Sequence, residues 1–307
     1  MIKWFNIVAI TCAFFLAMSF SIVGEVAASD GNNNSDSINE KYGLPILVLG
    51  EALSDAQKDE VRSLLGVDNP DMVQEYIVTG EDLANYIGGD SSSNMYSSAK
   101  ITRKDPGNGL VIDIVSSENI TEVTTEMYAN ALLTAGIENA LVEVASPLKV
   151  SGHSALTGIY KAYNVDGESL DKDRMEVANE ELEIATDLAD EEGMDQAKVS
   201  ELLTEIKKAI SEQNPATKED IERIVQEQLD ALNIELSPED REMLTNLFEK
   251  MRAINIDFGN VQSQLEDIAG DIKSKIEEVT GNTGFWKSVA TFFEDLFAGI
   301  SNLFSTN

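Results

Sequence analysis

The chain has 307 residues, of which 55 are acidic and 22 basic, for a formal charge of −33, with one cysteine and one histidine. That balance excludes recognition of a nucleic-acid backbone, which needs clustered Lys and Arg. The single thiol and single imidazole exclude internal disulfides, soft-metal sites and any catalysis needing a second histidine or cysteine. The composition and motifs point to no cofactor.

The first residues have the three parts of an export signal. Met1-Ile2-Lys3 is positive, residues 4–23 are almost wholly apolar, and Val26-Ala27-Ala28 puts small residues at the expected cleavage positions. The expected organisation is a signal peptide over residues 1–28, giving an extracellular or cell-envelope location. A retained anchor is the alternative, because the apolar run approaches the length that spans a bilayer. Cys12 lies inside that run, without a lipidation context, so cleavage would leave no thiol. Lys3 and Glu25 cancel, so cleavage would leave the acid excess unchanged. Residues 29–43 are small and polar at first and read as a disordered leader. The plain reading of the acid excess is a soluble surface that repels itself. The sharper readings are weak binding of divalent cations or of a basic partner.

Residues 44–163 alternate strand-like and helix-like segments and read as a mixed α/β domain. Leu44–Leu49 is a continuous apolar run, as in a strand buried on both faces. Ser54 and Gln57 form a capping-box pair at the head of a helix to Leu65, stopped by Gly66. Met72–Thr79 is strand-like, and Thr79 heads a short helix carrying Leu83, Tyr86 and Ile87. Tyr96–Arg103 and Leu110–Val115, joined by a turn at residues 105–109, predict a hairpin. Thr124 opens a helix that Gly136 ends, and Leu141–Ala145 is another strand. Residues 72–145 therefore run β-α-β-β-α-β, the ferredoxin-like order.

Residues 164–283 read as an acidic helical bundle. Met175, Ala178, Leu182, Ala185 and Leu188 make one apolar stripe, and Val199, Leu202, Leu203, Ile206 and Ile210 another. Ile221, Ile224, Val225, Leu229 and Leu232 follow Pro215. Ser237-Pro238-Glu239-Asp240 begins a helix with proline at its first position, presenting Leu244, Leu247, Phe248 and Met251. Val261, Leu265, Ile268, Ile272, Ile276 and Val279 close the series at heptad spacing. The fold class is α+β: a mixed domain, an all-α region and a C-terminal amphipathic helix.

That last segment, residues 284–307, carries the sharpest signal. Phe285, Trp286, Val289, Phe292, Phe293, Leu296, Phe297, Ile300, Leu303 and Phe304 fall on one helical face, with Lys287, Thr291, Glu294, Asp295 and Asn302 opposite. Fully burying one such side chain is worth roughly 1.5–3 kcal/mol, so ten of them need a covering surface. Three coverings are open: the chain's own bundle, a protein partner or second copy, and a membrane surface.

Two motifs invite a catalytic reading. Ser151-Gly152-His153-Ser154 follows a strand and opens a helix, the setting of a nucleophile elbow. Leu156 replaces the second elbow glycine, and the only histidine adjoins the serine on a sharp turn, where it serves poorly as its base. Close packing or an anion contact at the helix start fits better. Ser97-Ser98-Ala99-Lys100 matches a serine–lysine pattern but lies at a strand and lacks the companion motifs. Carboxylates such as Glu180, Glu181, Asp187 and Glu191 read as a solvated helix face. Asp190-Glu191-Glu192 and Asp166–Asp173 lack the spacing and glycine of a calcium loop.

Three stretches carry a resemblance: LPILVLGEALSDAQKDEVRSLLG at 44–66, NMYSSAKITR at 94–103, and the long run from Asn119 to Tyr163. Together they resemble domain of unknown function 1002, the YpuA-like exported proteins of Gram-positive type. His153 departs from that family's pattern, in which a small or hydroxyl residue is usual. The resemblance implies an extracytoplasmic protein and brings no activity or catalytic residues. The leading expectation is a non-enzymatic exported or envelope-associated binding protein. The alternatives are an extracellular carboxylate-dependent hydrolase and a membrane-surface factor acting through the terminal helix.

Overall fold

The computed structural model describes residues 40–190 and 194–280, with side chains to Ile276. The signal-like segment, most of the leader and residues 284–307 lie outside the described residues. The rest is α+β, a five-stranded mixed sheet followed by helices.

Strand β1 (Ile46–Gly50) is buried along its whole length, as its unbroken apolar run requires. Helix α1 (Asp55–Leu64) follows, with the Ser54–Gln57 capping box formed in both directions. Strand β2 (Gln74–Val78) then pairs in parallel with β1. Helix α2 (Gly80–Ile87) has a second capping box, Thr79 with Asp82, and ends at Gly88 in the left-handed conformation. Strands β3 (Ser98–Arg103) and β4 (Leu110–Ile114), helix α3 (Thr125–Ala135) and strand β5 (Ala140–Ala145) complete the sheet.

The strand order is β2-β1-β3-β5-β4. This corrects the ferredoxin-like expectation and its hairpin. Strand β1 sits between β2 and β3, and β5 sits between β3 and β4. β5 pairs with all six residues of β3, from Ser98↔Ala145 to Arg103↔Ala140. The turn at 105–109 therefore bridges a gap instead of closing a hairpin. Its Gly107 and Gly109 amides donate to Asn139 Oδ1 (2.8 and 3.1 Å), and Lys104 N–H donates to the Asn139 carbonyl. The β1-α1-β2 and β4-α3-β5 crossovers are two parallel units on either side of one antiparallel strand, β3.

The two sheet faces are covered differently. Leu47 and Leu49 pack with Leu53, Val61 and Leu65 of the α1 segment. On the opposite face Ile46, Val48, Ile101, Val142 and Val144 meet α3 and α4 (Ser154–Val165). Ten of the eleven residues of α3 are buried, because it lies between the sheet and the later helices.

Those helices are α5 (Lys172–Ala189), α6 (Gln196–Gln213), α7 (Lys218–Leu232), α8 (Pro238–Ala253) and α9 (Gln262–Thr280). Each start from α5 to α8 has a side-chain cap, from Asp171, Asp195, Thr217 and Ser237 in turn. The stripes read from the sequence are the buried ones: Leu182, Leu203, Ile206, Val225, Leu244, Phe248 and Leu265 share one apolar cluster with the sheet residues. Helices α6 and α7 end on Asn214 and Asn233, both left-handed, a conformation Asn tolerates better than most residues.

Candidate functional site

The Ser151–Ser154 loop joins β5 to α4 and is held from three sides. Ile120 pairs with Val150, and the amides of Glu122 and Val123 donate to the Ser151 carbonyl. Gly152 has φ +111°, and a Cβ there would lie 2.8 Å from both Ile120 Cγ2 and Tyr128 Oη. Tyr128, wholly buried, donates its hydroxyl to the Gly152 carbonyl at 2.6 Å. Burial pushes that phenol far above its usual range. Ser154 Oγ accepts from the Ser97 amide at 3.0 Å. His153 Nε2 lies 3.2 Å from Thr186 Oγ1 on α5. Burial lowers the imidazole pKa, while Glu122, Glu183 and Asp187 pull it back up.

The four candidate residues thus share one turn, yet His153 faces Thr186 and the hydroxyl of Ser154 serves β3. The arrangement ties segment 119–123, the head of α4 and helix α5 together. In the serine–lysine match, Ser97 is 1% exposed with no hydrogen-bond partner at Oγ, while Ser98 and Lys100 are engaged in the middle strand. Ser98 Oγ accepts from the Gly50 amide, and Lys100 pairs with Glu143 at 2.8 Å and donates to the Leu65 carbonyl.

The carboxylates correct one expectation. Glu181 does not lie on a solvated face: it is 1% exposed and pairs with Lys207 Nζ at 2.5 Å. Thr134 Oγ1 donates to Glu181 Oε2 at 2.6 Å, and Lys207 also donates to the Asn130 carbonyl at 2.8 Å. Asn130 Nδ2 in turn donates to Thr204 Oγ1 at 2.9 Å. Helices α3, α5 and α6 are joined by this dry network. Burial lowers the Lys207 pKa and Glu181 opposes that shift. Glu180, by contrast, reaches Lys250 near the surface, Asp166 pairs with Arg103 at 2.5 Å, and Asp171 caps α5. Glu191 and Glu192 lie outside the described residues. No group of three metal-ligating side chains occurs among the described residues.

Two further features escaped the sequence reading. The Arg103 guanidinium lies over the rings of Tyr42 (4.8 Å) and Tyr163 (5.2 Å) while pairing with Asp166 and Glu168. It pins the start of the described chain to the α4–α5 connection. Arg174 of α5 donates to the Thr134 and Leu133 carbonyls (2.7 and 3.1 Å), satisfying the last turn of α3 from outside. No local spacing reveals either, since the partners are tens of residues apart.

Comparison with known proteins places these features. The family model described as "Protein of unknown function (DUF1002)" matches residues 49–268, from the end of β1 into α9. The chain belongs to the DUF1002 family. A relative in Bacillus subtilis (strain 168), "Uncharacterized protein YpuA", is 35% identical over 269 residues, covering 85% of this chain and 90% of that protein. The DUF1002 match therefore takes in the Ser151–Ser154 loop, the Glu181–Lys207 network and Arg174, and stops short of residues 284–307. No solved structure matches the chain.

Proposed function

We propose that this DUF1002 chain is an exported, non-catalytic interaction protein of the cell envelope, engaging a protein partner through the aromatic face of residues 284–307. The observation that carries the reading is the apolar face of that segment, from Phe285 to Phe304, with Glu294 and Asp295 among the opposite residues. An interfacial membrane helix normally sets Lys and Arg on its polar face, which favours a protein over a lipid surface. Two observations support the non-catalytic part. His153 is committed to Thr186, and Lys100 and Ser154 each hold a backbone group or an ion pair of the fold. The signal-like residues 1–28 support export.

The experiment is recovery from solubilised cell envelope by tagged full-length protein and by protein ending at residue 283, with vesicle co-sedimentation alongside. A partner retained by the full-length protein and lost on truncation is the expected result. Equal recovery by both, recovery of nothing specific by either, or binding to lipid vesicles alone overturns it.

A further inference from the structure

Glu201, in the first half of α6, is 1% exposed, and neither of its carboxyl oxygens has a hydrogen-bond partner. Its situation is the opposite of that of Glu181 on α5, which is paired with Lys207. A desolvated carboxylate without donors is costly, whereas the protonated acid is tolerated. We propose that Glu201 is a proton-operated latch of the helical region: neutral, it lets α6 close against its neighbours, and ionised, it loosens them.

No cation bonds directly to Glu201, and the charges around it are mixed. On its own helix and cap, Glu205 and Asp195 oppose ionisation, while Lys198 and Lys208 favour it, and Lys208 is already bonded to Glu205 at 2.8 Å. Among the elements packed against α6, Glu126 of α3 holds Lys275 of α9, and Glu181 of α5 holds Lys207. Arg174 of α5 is spent on the carbonyls of α3, Arg223 of α7 on Glu227, and Lys273 of α9 is also engaged. Glu266 of α9 adds a further negative charge along the α6 seam, felt at Glu212. Burial, then Glu205 and Asp195, push the Glu201 carboxyl up to about 8.

The sign follows from linkage. The folded carboxyl holds its proton more tightly than the free group, whose value is 4.5. Its stabilising effect is complete below that value and is lost as the pH rises towards about 8. An exported chain meets the pH of its surroundings directly, and α9, packed along α6, leads into residues 284–307. That second link rests on the binding role proposed above; the latch itself does not.

The test is hydrogen exchange of α6 and α9 amides in the full-length chain, at about pH 6 and about pH 9 after correction for intrinsic rates, in wild type and Glu201→Gln. Wild-type protection in α6 is expected to fall about tenfold or more over that interval, and the Gln variant to change less than about twofold. The same pH response in both proteins overturns the latch. If Glu201→Gln fails to fold, titration of the wild-type carboxyl by NMR decides: a midpoint near 8 supports the proposal, and one in the ordinary carboxylate range overturns it. Loss of the latch with retained envelope binding would leave the proposed function standing.

Discussion

Lys207 of α6 and Glu181 of α5 form an ion pair with 0% and 1% side-chain exposure, and the Asn130 carbonyl and Thr134 hydroxyl complete their hydrogen bonding. Such a pair fixes how three helices meet, because neither charge tolerates losing its partner. Removing one partner strands a buried charge, at a cost of about 3–5 kcal/mol, while replacing both with apolar groups is far less damaging. Lys207→Met is therefore expected to destabilise the chain strongly in urea unfolding, and Lys207→Met with Glu181→Leu to recover much of the loss. A double variant as unstable as the single one would refute this account of the network.

Arg174 supports α3 by closing its last carbonyls, next to Gly136 at φ +90°. Arg174→Ala is expected to cost about 1–3 kcal/mol, since the α3 C-terminus is buried and its acceptors lose charged donors. Arg174→Lys restores little, because one ammonium cannot reproduce the forked donor geometry. Full stability of the Lys variant would show that charge alone matters there.

His153 gives a pH dependence opposite in sign to that of Glu201. Its folded pKa lies below the ordinary 6.5 because burial disfavours the imidazolium. The unfolded chain therefore takes up the proton first, and the contribution present above 6.5 is lost as the pH falls below it. The stability difference between wild type and His153→Asn should shrink between neutral and mildly acidic pH. A difference that is constant across that interval would place the imidazole in water.

The excess of 55 acidic over 22 basic side chains predicts a self-repelling surface. Exposed charges are screened over about 10 Å at 0.1 M salt. Thermal melting measured from low to molar NaCl should rise. A flat or falling curve would mean that the surface pairs outweigh the repulsion.

How much of this was legible in the sequence differs by interaction range. Caps, stops and apolar stripes are local, so Ser54–Gln57, Thr124, Gly136 and the row from Val199 to Ile210 all appeared where they were read. Strand order is not local. Nothing in the alternation of β3 and β4 says that β5 will come between them, and a turn rich in Gly and Pro serves a bridging loop as well as a hairpin. Glu181 was misplaced for a related reason. It lies in a run, Glu180-Glu181-Leu182-Glu183, whose charges look equivalent until Lys207, 26 residues away, supplies a partner for one of them. Ser151–Ser154 was correctly located as a turn at a helix start, and the packing of Gly152 against Tyr128 explains why small residues stand there.

The most direct measurement is envelope binding by the full-length chain carrying Phe292→Ser, Phe293→Ser and Phe297→Ser, with thermal melting recorded on the same protein. Binding is expected to fall at least about tenfold while melting stays at the wild-type value, as it should if those rings face the proposed partner. Undiminished binding, or a loss of binding matched by a large fall in melting temperature, would contradict it.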